Sequence, residues 1–252
     1  MSLIKDSKEI DLIRKSSKIV GDVLKHLKSF IRVGISTAEL DKIAEAFILE
    51  RDAYPAFKGY KVKHNKFPAC LCISINEEVV HGIPSDKRYL KDGDIVSVDV
   101  GVKRNGYFGD GAFTFEVGEV TDKKKKLIKI TEESLYKGIE KAIEGNTIND
   151  ISCAVQNYVE GSGFSVVREL VGHGIGKNLH EEPAVPNFYS PANTMKLSKG
   201  MTLAIEPMVN YGSFSVYTKD DGWTVVTSDG EASAHFEHTI LITDGKPEIL
   251  TI

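Results

Sequence analysis

The chain has 252 residues, 41% of them hydrophobic, and a formal net charge of −4. That is enough apolar material for one sizeable core, and the mild acidity carries no polyanion-binding signature. Three cysteines make no disulfide framework and fit a reducing cytosol, the charged first thirty residues hold no secretory signal, and no apolar run approaches a membrane span.

Ile10, Ile13, Ile19, Val20, Leu24 and Leu27 fall mostly three or four apart, which predicts an amphipathic helix over about residues 6–31. Ser36-Thr37-Ala38-Glu39 has the form of a capping box and opens a second helix to about Arg51. Cys70-x-Cys72 is spaced too closely for zinc and has no second pair. In a strand over 70–76 the two thiols share one face, where packing or pocket lining suits them. Strands over 94–102 and 107–117 flank Asn105-Gly106, a type I′ hairpin signal. A two-residue loop there pairs Arg104 with Tyr107 and, onward, Asp99 with Ala112. Asp110 is then a diagonal neighbour of Asp99 on one face, roughly 7–8 Å away at the backbone. Without a cation the two acids repel; by themselves they fit a solvated face as well as a metal site.

Lys123 to Lys126 read as the solvated start of a helix over 122–143 rather than a nucleic-acid patch. Thr147-Ile148-Asn149-Asp150 starts a fourth helix. Gly34, Ser36, Glu39 and Leu40 match Gly145, Thr147, Asp150 and Ile151 at one constant offset. This weak repeat suggests two related halves, each placing helices outside a mostly antiparallel sheet. His173 stands among Gly172, Gly174 and Gly176, with His180 seven residues on; so many glycines argue for a turn or loop. Strands are expected over 202–206, 214–218, 223–227 and 234–242. Glu206 ends an apolar run that Pro207 stops, and Glu237 lies in the last long strand. The order is α+β rather than alternating βαβ. No long linker divides it, so residues 1–252 read as one domain with internal pseudo-symmetry.

Asp99, Asp110, His173, Glu206 and Glu237 all sit in apolar or glycine-rich runs. Burying such groups is costly unless they are paired or bound to metal. Four carboxylates and one imidazole form a hard donor set that suits Mn, Fe, Co or Zn, and two ions at once if a carboxylate bridges.

The chain resembles the type I methionine aminopeptidases, in their short form without an N-terminal zinc-finger extension. Asn76-Glu77-Glu78-Val79-Val80-His81-Gly82-Ile83-Pro84, Asp94-Ile95-Val96-Ser97-Val98-Asp99-Val100-Gly101 and Gly172-His173-Gly174-Ile175-Gly176 followed by His180 carry the likeness. Glu206-Pro207-Met208 and Phe236-Glu237-His238-Thr239 complete it in the family's order, over nearly the whole chain. The resemblance implies a pita-bread fold: a pseudo-two-fold antiparallel sheet with flanking helices. It implies an exopeptidase that uses two divalent ions (Co, Mn, Fe(II) or Zn) to remove the initiator methionine when the second residue is small and uncharged. Asp99 then chelates one ion, Asp110 and Glu237 bridge both, and His173 and Glu206 complete the donors of the second ion. Glu206 also moves a proton. His180 bonds the scissile carbonyl and His81 contacts the scissile amide, neither binding metal. Tyr60, Phe67, Cys72, Leu179 and Trp223 form the methionine pocket. The implied partners are nascent polypeptide N-termini, with ribosome association, a monomeric state, a cytoplasmic setting, and neither membrane nor specific nucleic-acid binding.

Some positions depart from the family. Lys61 to Lys66 read as an insertion, Leu179 stands where Phe is frequent, and Leu170 and Phe188 replace aromatics near the Gly-His-Gly motif. These bear on pocket shape and second-residue preference. Prolidase and aminopeptidase P share the five ligands, but they carry a large N-terminal domain and lack the Glu77 to Pro84 run. Type II methionine aminopeptidases carry a helical insertion for which the stretch from His180 to Glu206 has no room. A non-catalytic binding protein on this fold is the alternative of a different class; such relatives lose ligands.

Overall fold

The computed structural model describes residues 2–62 and 65–252, so the expected 61–66 insertion lies partly outside the described residues. Helices α1 (Ser7–Lys28) and α2 (Thr37–Leu49) come first. They are followed by β1 (Tyr54–Pro55), β2 (Lys61–Val62), β3 (Asn65–Lys66), β4 (Leu71–Ile75), β5 (Glu78–Val80), β6 (Ile95–Arg104) and β7 (Tyr107–Glu116). Helices α3 (Asp122–Lys141) and α4 (Ile148–Gly161) open the second half. Strands β8 (Ser165–Val166), β9 (Gly172–Gly174), β10 (Glu181–Val185), β11 (Thr202–Ile205) and β12 (Met208–Asn210) come next. The chain closes with β13 (Val216–Thr218), β14 (Val225–Thr227), β15 (Ser233–His235), β16 (Glu237–Leu241) and β17 (Glu248–Ile249).

The helices begin where their caps direct. At α1 the Asp6 carboxylate accepts the Glu9 N–H at 2.8 Å, and Glu9 accepts the Asp6 N–H at 3.1 Å. At α2, Ser36 Oγ accepts the Glu39 N–H at 3.1 Å, and the return half of the expected box is absent among the described residues. At α4, Asp150 accepts both the N–H and the hydroxyl of Thr147. The buried stripe of α1, including Ile13, Val20, Leu24 and Leu27, packs on β6 and β7. Each such side chain stabilises the fold by about 1.5–3 kcal/mol.

The repeat seen in the sequence has a structural counterpart. The N–H of Gly34 donates to Leu90 O at 2.8 Å, and that of Gly145 to Leu197 O at 2.9 Å. Single bridges follow at Ser36↔Tyr89 and Thr147↔Lys196. Both glycines hold positive φ, +84° and +88°, which a side chain would strain. Two cores match the two halves. One gathers α1, α2 and the even positions Val96, Val98, Val100 and Val102 of β6; the other gathers α3, α4 and the strands behind them.

A nine-stranded antiparallel sheet joins the halves in the order β1-β6-β7-β16-β11-β9-β10, with β4 also on β6 and β17 on β16. The architecture is the α+β, pita-bread arrangement expected. The hairpin at Asn105-Gly106 has both residues at positive φ and pairs Arg104 with Tyr107, as predicted. No helix among the described residues is long and apolar enough to cross a membrane.

The lysine run at the start of α3 is largely solvated, as expected: Lys123, Lys125 and Lys126 are exposed, and Lys124 Nζ alone turns inward, to Asn76 Oδ1 and Gly93 O. Three expectations need correction. Cys70 precedes β4 and packs in the first core, while Cys72 joins a different cluster, so the two thiols share no face. The strand expected over 234–242 breaks at Phe236 into β15 and β16, which belong to different sheets. Gly172-His173-Gly174 is a strand, not a loop.

Candidate metal centre

Strand register puts five side chains on one face. Asp99 of β6 pairs with Ala112 of β7, and Ala112 pairs with Glu237 of β16. Asp110 stands two residues from Ala112 and shares its face. Further across, Thr239 of β16 pairs with Ala204 of β11, and Ala204 with His173 of β9. Glu206 follows Ala204 by two residues, just past the end of β11. Five neighbouring strands thus each deliver one donor to the same place.

The glycines around His173 make this packing possible. A Cβ at Gly172 would lie 2.4 Å from Ala204 O, and one at Gly174 would lie 2.2 Å from Glu182 O. The glycines serve close strand contact rather than a turn. Thr239 fixes Asp110 from the neighbouring strand: its hydroxyl donates to Asp110 O at 2.8 Å and accepts the Asp110 N–H at 3.0 Å.

Asp110, His173 and Glu237 present ligand atoms that all lie within 4.8 Å of one another. Glu206 Oε1 lies 3.6 Å from His173 Nε2, and the Asp99 and Asp110 carboxyls are close enough for each to shift the other's ionisation. The His173 Nδ1 lies 2.9 Å from Gly174 O, which assigns the ring proton to Nδ1 and turns the Nε2 lone pair to the cluster. Asp99 Oδ1 and Glu237 Oε1 are buried without a hydrogen-bond partner among the described residues. Orphaned oxygens of this kind are expensive unless a cation meets them.

The electrostatics say the same. Burial holds the Asp110 carboxyl up to about 7. Burial, then the charge of neighbouring carboxylates, pushes Asp99, Glu206 and Glu237 well above the usual range. Burial also drives the imidazoles down, His173 and His235 to about 3 and His81 to about 4, so they stay neutral. Without a cation the four acids cannot all ionise; a divalent ion reverses that. The donor set, its orphaned oxygens and its neutral imidazole fit hard or borderline divalent metals.

The centre opens into a cavity of about 190 Å³. Every residue singled out in the sequence lines it: the five donors, His81, His180, Tyr60, Phe67, Cys72, Leu179 and Trp223. Phe67 meets Trp223 edge-on, with ring centroids 5.2 Å apart. The Tyr60 hydroxyl lies 2.6 Å from His180 Nδ1, and the His180 ring stands 4.4 Å from that of His173. Val62, from the 61–66 insertion expected to bear on the pocket, also lines the cavity. Sequence reasoning missed Phe57, another lining residue, and His235, whose Nε2 lies 3.7 Å from Glu206 Oε2. Phe57 carries no sequence signal. His235 alternates with Glu237, and that was a usable clue.

The profile of metallopeptidase family M24 matches residues 11–244. The methionine aminopeptidase of Clostridium perfringens is 56% identical, over 100% of this chain and 99% of its own length. Methionine aminopeptidase 1 of Bacillus subtilis is 53% identical over the same shares. Among solved structures, the methionine aminopeptidase of Thermotoga maritima superposes with a TM-score of 0.95 at 44% identity, covering 98% of each chain. The prolidase of Pyrococcus horikoshii superposes at 0.80 with 26% identity over 99% of this chain but 63% of its own.

Proposed function

The chain belongs to metallopeptidase family M24, and from that premise we infer that it is a methionine aminopeptidase. It is a metal-dependent hydrolase that removes the initiator methionine from protein N-termini. One observation carries the reading: hard metal donors and an apolar, aromatic wall meet in one cavity sized for a single side chain. A thioether packs well against aromatic rings, and Cys72, Phe67, Leu179 and Trp223 supply that wall.

We assign the whole of residues 1–252 to one catalytic domain. Asp99, Asp110, His173, Glu206 and Glu237 would hold two divalent ions, drawn from Mn, Fe(II), Co or Zn, with Asp110 and Glu237 serving both. When bound, the ions activate a water and polarise the scissile carbonyl. Glu206, which lines the cavity, would accept a proton from the attacking water and return it to the leaving amine. With the Tyr60 hydroxyl, 2.6 Å away, donating to His180 Nδ1, the Nε2–H is left as a donor. That N–H stabilises the oxygen on which negative charge develops. His81 contacts the scissile amide.

Its substrates are nascent chains beginning with Met followed by a small, uncharged residue. Its setting is the cytoplasm, where it acts as a monomer meeting nascent chains at the ribosome. Purified, metal-loaded protein should release methionine from Met-Ala-Ser. If it leaves that peptide intact and cleaves Ala-Pro-type peptides, it works as a prolidase.

A further inference from the structure

His235 is the last residue of β15, and it is 1% exposed. Its backbone is held from two sides. The N–H donates to Thr114 Oγ1 at 3.0 Å, and the carbonyl accepts the Thr114 hydroxyl at 2.7 Å. With that proton committed, the 2.8 Å contact between Ser97 and Thr114 is donated by Ser97. A chain of hydroxyls from β6 and β7 therefore clamps His235, and its pairing with Met208 of β12 holds it from the other edge.

The ring is not matched in this way. His235 Nε2 is buried and has no hydrogen-bond partner among the described residues. It lies 3.7 Å from Glu206 Oε2, while Glu206 Oε1 lies 3.6 Å from His173 Nε2. The Glu206 carboxylate thus stands between two imidazoles, one to each oxygen. They cannot play the same part. His173 keeps its proton on Nδ1, against Gly174 O, and offers Nε2 as a lone pair. A second lone pair at His235 would leave Oε2 facing repulsion in a dry site. An N–H there gives it a partner, at the cost of a carboxylate rotation of about half an ångström to reach hydrogen-bond distance.

We propose that His235 is the positioning residue for Glu206: its Nε2–H donates to Oε2 and fixes which Glu206 oxygen is left for the metal and which for the transferred proton. The buried ring reaches the carboxylate from β15, in the three-stranded sheet β15-β12-β8, so it sets the orientation of Glu206 without touching substrate. The proposal rests on the metal-centre reading above. Its test is separable from that reading, because wild-type hydrolysis of Met-Ala-Ser decides the function alone.

The first measurement uses the unaltered protein. In ¹⁵N-histidine spectra of zinc-loaded enzyme, with the His235 resonance identified by its loss in His235→Gln, the proton is expected on Nε2. A proton on Nδ1 overturns the proposal. The second compares variants. His235→Leu keeps the volume and removes the donor; it should weaken metal binding and lower kcat about 10–100-fold each, with KM within about two-fold. His235→Gln keeps a neutral N–H within reach and should recover both to within a few-fold. Equal losses in His235→Leu and His235→Gln, or a His235→Leu protein with a lowered melting temperature but unchanged zinc affinity and kcat, would mean that the ring only packs.

Discussion

Asp110 has more demands on it than any other residue in the cluster. It lies within reach of His173 and Glu237, feels the charge of Asp99, and is anchored at both backbone atoms by Thr239. Asp110→Asn should therefore abolish turnover and bound metal together. His81→Ala removes one assisting group and should cost roughly 10²–10³ in kcat/KM with metal content intact. Small, similar losses in both variants, measured with metal analysis on the same preparations, would remove Asp110 from its bridging role. Trp223 poses a different question. It precedes β14 rather than lying in it, is only half-buried, and meets Phe67 edge-on in the cavity. Trp223→Ala should raise KM for methionyl peptides and leave bound metal unchanged. A core residue would instead lose about 3–5 kcal/mol of stability with KM barely altered. Melting temperature and kinetics together decide the matter.

At the scale of elements, the metal centre depends on how closely β9 can approach β11 and β10. Gly174→Ala would place a methyl 2.2 Å from Glu182 O, a backbone atom that cannot swing aside. The strands must part, and overpacking of this kind costs about 1–3 kcal/mol. The expected result is a lower melting temperature and weaker metal binding, because His173 moves with its strand; unchanged calorimetry and metal affinity would show that the strands yield freely. The same glycines mark the limit of what the sequence disclosed. Asp99 and Asp110 were legible because Asn105-Gly106 is a local signal that fixes a register, and register carries to every pair along β6 and β7. Glu206 and Glu237 were legible as acids in apolar runs. The strand at His173 was not, since its glycines answer to Ala204 and Glu182, whose closeness no local pattern reveals. The break at Phe236 was hidden for a like reason: it arises where the chain leaves β12 for β11 as its partner, after residues 208–210 and before 202–205. Cys70 was placed on the wrong face because the strand starts one residue later than its β-rich pattern suggests.

For the molecule as a whole, a metal held at the proposed centre would join the two halves. The first half supplies Asp99 and Asp110; the second supplies His173, Glu206 and Glu237. Removing it leaves acids whose pKa values are raised by burial: Asp110 to about 7, the others upward. Groups of this kind hold protons in the fold that the unfolded chain has already released above about pH 4. The folded state then binds more protons, so metal-free stability must fall as pH rises through 7 and beyond. The buried histidines act oppositely, being depressed to about 3–4; their effect is confined below about pH 6.5, where unfolded imidazoles charge. Chelator-treated protein should thus lose melting temperature between pH 7 and 9, while metal-loaded protein should not. A chelated protein with a flat profile over that range would mean the acids are not held protonated. Saturating metal, at about 100 times its Kd, should add about 2.7 kcal/mol. The order of strands adds one more consequence. Strand β16 sits between β7 and β11, although both precede it in the chain. The large sheet therefore cannot close between its halves, and Glu237 has no place, until residues 237–241 have been made. At about 5–20 residues per second, a ribosome spends roughly 10–50 s reaching the end of β16, and for all of that time the acids of β6 and β7 wait for the strand that completes their cluster.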